Sequence, residues 1–481
     1  MSNNQSSSRR SFIKKTALTT LGISIIPRHV MGKGFIPPSD KLNIAIIGAG
    51  GKGYSDMLNV WNNGASNIAA ICDVDWNRAS ESFKLFPNAK KFKDYRKLLD
   101  IMNDIDAITV STPDHTHAII TLAAMQLNKH VYVQKPLTHS IYEARVLTEA
   151  ANKYKIVTQM GNQGASGKGV KTMMEWFDKG LIGTVNQVDV WTNRPVWPQG
   201  IKTPTEKPAI LDNLDWDKWI GPAQWVDYHP LYHPFKWRGW WNFGTGAIGD
   251  MGCHLIDPPF RVLGLGYPTE VESSVGSIFT QDWTPDYYPE SCPPSSRTQL
   301  KFEATEKNPS AIKLNWTDGG LRPFHPELIP ADHSLGDENS TNGVIMMGEK
   351  GIMTCGTYGL NPKIYLNSGE LIIPDFENKE NETLPENGHH TKWVDACKDG
   401  FGSEKHKELT SSFDFAGPLT ESILMSNLAI RSYNLRDKIG NNFEYPGRKK
   451  LLWDGVNMKI TNFEPANQFV KRDYREGWSL L

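Results

Sequence analysis

"KLNIAIIGAGGKGYSD", running from Lys41 to Asp56, passes from an unbroken apolar run into four glycines within six positions. Ile44 to Ile47 lack the alternation of a half-exposed strand, and such a run reads as a parallel strand buried on both faces. Gly48, Gly50 and Gly53 follow as G-x-G-x-x-G. The first glycine permits a tight turn, the second lets backbone approach a pyrophosphate, and the third brings the next helix close to the strand. Amides at that helix N-terminus supply an anion site. Side chains thin out where phosphate must meet backbone. Gly51 and Lys52 complete the loop and join the candidate dinucleotide contacts. Tyr54 rather than lysine follows Gly53, which excludes a kinase-type phosphate loop.

The context strengthens the triplet. A second strand, Asn67 to Cys72, ends at Asp73, twenty residues past Gly53. A carboxylate there accepts both ribose hydroxyls and repels a 2′-phosphate, favouring NAD over NADP. Asp75 stands close enough that the two are not ranked, and a plain turn aspartate is the alternative. Ala107 to Thr112 reads as a third strand, with Thr112, Pro113 and His117 as candidate cofactor-loop contacts. His115 and His117 have no third ligand at useful spacing, so no metal is expected. His130 to Pro136 is another strand with its exit loop. Ile156 to Gly164 is the last, placing Asn162 and Gln163 at the site edge. Such repeated units predict an α/β fold with a doubly wound parallel sheet and its ligand at the carboxyl edge.

At 481 residues the chain suits two domains. A net charge of −1 exerts no general pull toward nucleic acid or anionic membrane, and neither partner is expected. Cys72, Cys253, Cys292, Cys355 and Cys397 are scattered, so a disulfide or zinc framework is not expected. Residues 1–38 read as an address and linker. "SSRRSFIKK", Ser7 to Lys15, resembles a twin-arginine export signal. The apolar run Thr16 to Ile26 falls short of the roughly 20 residues that span a bilayer. A periplasmic or otherwise exported protein is expected.

Four stretches together resemble the Gfo/Idh/MocA oxidoreductase family, named for glucose–fructose oxidoreductase and inositol dehydrogenase. They are the glycine fingerprint, "STPDHTHA" (Ser111 to Ala118), "VQKPLTHS" (Val133 to Ser140) and "GDMGCHLID" (Gly249 to Asp257). The resemblance implies a Rossmann domain over residues 39–160. It implies a second α/β domain, residues 161–481, built on a large, mostly antiparallel sheet. It further implies NAD(P), a carbohydrate or polyol substrate, and a catalytic Lys135, Asp250 and His254. The usual E-K-P is Q-K-P here, with Gln134, also a candidate cofactor contact, replacing the acid.

The residues also make chemical sense by themselves. Asp250 and His254 are i, i+4 on a helix read over Thr245 to Gly264, so a carboxylate can orient an imidazole. Pro258 and Pro259 are expected to bend or end that helix. Lys135, in a strand's exit loop, can stabilise a developing alkoxide while His254 takes the hydroxyl proton. A purely structural Asp–His pair is the plain alternative.

Eight tryptophans fall within the 51 residues from Trp191 to Trp241. Aromatic faces interleaved with polar groups make a plausible sugar pocket, and Arg194, Trp197, His233 and Lys236 are the substrate candidates. Packing of long loops accounts for half or more of these rings. Later segments read as strands and turns, with a sheet face open for homo-oligomerisation and a helix in "GPLTESILMSNLAIRS" that rejoins the first domain. His389-His390 is read as a cap or site rim, not a metal pair. Three functions follow. The first is an NAD-dependent sugar or glycoside oxidoreductase acting at a ring secondary alcohol. The second is a glycosidase that uses NAD as a recycled catalyst. The third is a cofactor-holding binding protein. Export limits the choice, because outside the cell NADH must be reoxidised in place.

Overall fold

Ile44 to Ile47 form the end of β1 (Asn43–Ile47) in a six-stranded sheet. Its companions are β2 (Asn67–Cys72), β3 (Lys90–Phe92), β4 (Ala107–Val110), β5 (His130–Val133) and β6 (Thr158–Met160). The computed structural model describes residues 41–376, 386–440 and 442–480; the leader at 1–38 and most of the polar stretch 377–390 lie outside them. Leu42–Leu481 is one compact unit. The strands run parallel in the order β3-β2-β1-β4-β5-β6. Ala45 and Ile47 enter one core while Ile44 and Ile46 enter another, which is why β1 shows no alternation. The second core is completed by Trp393 and Val394 from the late helix Glu386–Asp399.

The second sheet has ten strands. They are β7 (Val185–Trp191), β8 (Glu270–Val275), β9 (Ser296–Phe302), β10 (Ile312–Thr317), β11 (Gly343–Gly348), β12 (Gly351–Cys355), β13 (Lys363–Leu366) and β14 (Leu371–Ile372), then β17 (Leu451–Asp454) and β18 (Lys459–Ile460). Between the last groups, β15 (Asp437–Ile439) and β16 (Asn442–Glu444) form a separate hairpin. Neighbours in the large sheet are antiparallel except β7 with β10. The long helix Phe413–Tyr433 packs between this sheet and the first domain. There the buried Glu421 accepts a bidentate pair from Arg145, both bonds 2.8 Å.

Two local details differ from the sequence reading. The helix expected over Thr245 to Gly264 is two: Gly246–Leu255, then Asp257–Val262. Pro258 and Pro259 open the second rather than ending the first, because a first-turn residue has no intrahelical N–H bond to lose. His389 and His390 are fully buried braces. His389 bonds Ser166 Oγ (2.7 Å) and the Met160 carbonyl (2.9 Å), while His390 Nε2 meets Asp56 Oδ1 at 3.0 Å. All five cysteines are unpaired and buried. Among the described residues no helix is long and apolar enough to cross a membrane, and no group of three His, Cys, Asp or Glu is disposed to hold a metal.

Burial holds His115 and His389 down to about 3, and holds His254 well below its ordinary value. Unfolded histidines titrate near 6.5, so below that pH the unfolded chain binds protons these three refuse, and stability falls with pH. Asp318, pushed up to about 6 by burial, opposes this with one proton. His139, also buried and held well below its ordinary value, acts with the three, so the histidines outnumber Asp318. Thermal unfolding followed by calorimetry should therefore give a lower Tm at pH 5.5 than at pH 7, and an equal or higher value contradicts the account.

Candidate active site

The glycine loop closes where it must. A Cβ at Gly53 would lie 1.8 Å from the Gly48 carbonyl oxygen, and one at Gly48, whose φ is +81°, would lie 2.7 Å from that of Ser111. The helix Lys52–Trp61 starts directly after Gly51. Asp73 Oδ2 accepts from the amides of Ala49 (2.7 Å) and Gly50 (3.2 Å), and its Oδ1 from Asp75 N (2.8 Å). Asp75 in turn accepts from the amides of Asn77 and Arg78 and lies 3.2 Å from His233 Nε2. Both carboxylates line one cavity of about 470 Å³ that runs along the carboxyl edge of the sheet. Gly48, Gly50, Gly51 and Lys52 border it at one side, Thr112, Pro113 and Gln134 along the floor, and Lys135 with Asp250 beyond. A cradle that no Cβ could enter, beside a helix N-terminus and two carboxylates just past the end of β2, fits a dinucleotide.

Lys135, just past β5, reaches across to the helix Gly246–Leu255. Its ammonium donates to the Asp250 carbonyl (2.7 Å) and to Asp250 Oδ1 (2.9 Å). Arg238 Nε stands 3.5 Å from the same carboxylate and Arg194 Nε 4.0 Å from its other oxygen. Burial alone would raise the Asp250 carboxyl; the Lys135 and Arg238 charges win and hold it at about 2. His254, one turn on, has Tyr358 edge-on against its ring at 4.6 Å. Burial, with Lys135 adding to it, keeps the imidazole neutral, and its Nδ1 has no hydrogen-bond partner. His254 is outside the cavity lining, next to Asn162, Cys253 and Asp257.

The remaining candidates divide. His233 lines the cavity. His117 does not: its ring nitrogens face the carbonyls of Pro136 and Thr112, both at 2.8 Å, clamping the loop that carries Lys135. Asn162 is fully buried and its amide donates to Asp257. Gln163, with its amide oriented by its surroundings, accepts from Lys52 Nζ at 3.1 Å. Trp197 is buried and donates to Gln199, and Lys236 is exposed, so neither borders the cavity. Arg238 does, stacked on Trp237 at 4.2 Å and Phe235 at 4.7 Å. Asp114, which also borders it, accepts from Thr245 Oγ1 at 2.7 Å. An arginine flanked by aromatics was the available signal for the first; the second carried none beyond its motif.

Gln134 has a physical reason for not being glutamate. Its Nε2 donates at 2.8 Å to Asp56 Oδ2, which also takes the Ser111 hydroxyl at 2.7 Å, while Asp56 Oδ1 pairs with His390 and Lys52. A second carboxylate at 134 would face a fully buried one. Gln134→Glu should cost about 2 kcal/mol or more at pH 7. The exchange Asp56→Asn with Gln134→Glu should be more stable than the summed single changes by at least about 1 kcal/mol in a denaturation cycle. Additive losses contradict the charge argument.

Comparison with known proteins agrees with this geometry. Residues 42–162 match the NAD-binding Rossmann fold of the GFO_IDH_MocA oxidoreductase family, and residues 167–278 match that family's C-terminal alpha/beta domain. Levoglucosan dehydrogenase of Pseudarthrobacter phenanthrenivorans is 24% identical over 254 residues, covering 51% of this chain and 55% of that protein. Glycosyl hydrolase family 109 protein 1 of Shewanella sp. (strain MR-4) is 26% identical over 170 residues, 30% of this chain and 37% of its own. The chain thus spans about half the length, or less, of these curated relatives. A levoglucosan dehydrogenase structure, in complex with NADH and levoglucosan, superposes with a TM-score of 0.54 at 16% identity, covering 81% of this chain and 98% of that one. The N-terminal domain is an NAD-binding Rossmann domain, and the chain belongs to the Gfo/Idh/MocA oxidoreductase family.

Proposed function

We propose that the protein is an NAD-dependent oxidoreductase acting on a ring secondary alcohol of a sugar or glycoside. The observation that carries this reading is the Lys135–Asp250 pair bordering the same cavity as the glycine loop. The sugar class is supported by the levoglucosan dehydrogenase relative. When bound, NAD supplies the acceptor for the carbinol hydride.

The chain's own groups handle the oxygen. Two of the three Lys135 N–H bonds are engaged by Asp250, leaving one for a substrate hydroxyl. Lys135 and Arg238 make the field around that oxygen positive, which favours a developing alkoxide. Asp250 stays ionised through the working pH range and so anchors the ammonium throughout. His254, held neutral, is the proton acceptor in this reading. Its ring lies outside the lining with Tyr358 against it, so the proton reaches it through a water or a shift of that tyrosine. The twin-arginine-like leader supports export, and an exported enzyme must keep and recycle its cofactor.

The glycosyl hydrolase family 109 relative favours a second reading of the same residues. A ring carbonyl acidifies the neighbouring C–H, the adjoining substituent is eliminated, water adds, and the hydride returns. Glycosides supplied in D₂O separate the two. Keto-sugar with accumulated NADH marks the oxidoreductase. Released aglycone, deuterium at the neighbouring carbon and unchanged cofactor mark the glycosidase. Under either reading Lys135→Met should lower kcat by about 10² to 10⁴ while dinucleotide binding persists. A variant as active as the parent refutes both.

A further inference from the structure

A further group of lining residues, Tyr95 and Trp478 among them, marks another lobe of the cavity. Rossmann geometry puts the cofactor's ribose at the end of β2, so this lobe is where the purine base falls. Its walls include Tyr95, Ile119 and Ile120 from the first domain and Trp219 from the tryptophan-rich loop, with Lys93, Asp94 and Lys218 also on the lining. The last wall is Trp478, more than 350 residues along the chain from Ile120.

Trp478 is held there by a segment fixed at both sides of the lobe. Val470 accepts from Tyr142 N at 3.0 Å. Arg472 Nε donates to the fully buried Glu143 at 2.8 Å, the Tyr474 hydroxyl to the same carboxylate oxygen at 2.7 Å, and Arg472 also bonds the His115 carbonyl. Across the opening, Arg475 pairs with Asp217 at 2.8 Å and its amide donates to Pro222 O at 3.0 Å. Gly477, at φ +80°, turns the chain so that the Trp478 amide returns to Arg475 O at 3.0 Å. The Arg96 guanidinium lies over the indole, 4.6 Å from the ring centroid. A Cβ on Gly221 would sit 3.9 Å from the ring's edge. Half-buried, with Arg96 over its ring and Arg475 5.9 Å from the ring centroid, the indole lines the cavity, which suits contact with a purine.

We propose that Val470–Leu480 is a strap across the adenine end of the dinucleotide cleft, with Trp478 as the purine-stacking wall, and that it slows cofactor exchange. This rests on the NAD reading above. An enzyme working where free NAD is scarce gains from such a strap.

The test follows release rather than turnover. Full-length protein is loaded with the fluorescent analogue 1,N⁶-etheno-NAD and chased with excess NAD, and AMP binding is titrated separately. Trp478→Ala should release the analogue at least tenfold faster than the parent and weaken AMP by a similar factor, with Trp478→Phe in between. Arg475→Ala, which unties the segment from Asp217 and removes a cation near the indole, should speed release severalfold and serves if Trp478→Ala does not fold. Parental release rates and AMP affinity in Trp478→Phe and Arg475→Ala would overturn the strap while leaving NAD binding intact. A parent that binds neither probe would overturn the cofactor reading itself.

Discussion

One ammonium group joins the two halves of the site. Lys135 leaves the parallel sheet of the first domain and ends on the carbonyl and carboxylate of Asp250, in a helix of the second. Each ion would be costly to bury alone. Their pairing is therefore a constraint on domain placement as well as a chemical feature. Because Arg238 and Arg194 also face Asp250, the local balance is positive, and the carboxylate is outnumbered rather than neutralised. An oxygen gaining negative charge beside Lys135 meets a field arranged in advance.

That arrangement depends on residues with no chemistry of their own. His117 ties the loops after β4 and β5 together through two carbonyls. Asp56, beneath the glycine loop, gathers Ser111, Gln134, His390 and Lys52 around one buried carboxylate. The family's acid before the lysine has no room for its charge here, since the neighbouring helix already holds one.

The first domain was legible because its signals are local. An apolar run, a glycine spacing and an aspartate after the second strand lie on contiguous stretches and fix one another. The Asp250–His254 spacing put both on one helix, but Asp250 pairs with Lys135 and His254 Nδ1 has no partner, so the expected orienting bond is not made. The tryptophan loop was not. Seven of its eight indoles are buried, and Trp216 stacks on Trp219 at 4.6 Å and 10°, so bulk decided their places. Lys236 and Arg238 share a short 3₁₀ turn, Lys236–Gly239, yet one is exposed and the other borders the cavity. Two residues' difference of direction within an irregular loop leaves no trace in composition. Trp478 meets its partners only through tertiary packing, and its surroundings show no periodicity that would place it.

The two domains are tied together beside the cavity at the start of the helix Asp114–Gln126. His115 bonds Trp219 O at 2.9 Å, its amide donates to Phe243 O at 3.2 Å, and Thr245 reaches Asp114 at 2.7 Å. His115 stays neutral at working pH, so its bond across the boundary does not weaken with ordinary pH changes. Opening the domains would expose each of these groups at once, along with the Lys135–Asp250 pair. Separate motion of the halves is therefore disfavoured, and the exposed Phe235, with Arg238 over its ring, stands on the lining of the cavity that holds Lys135.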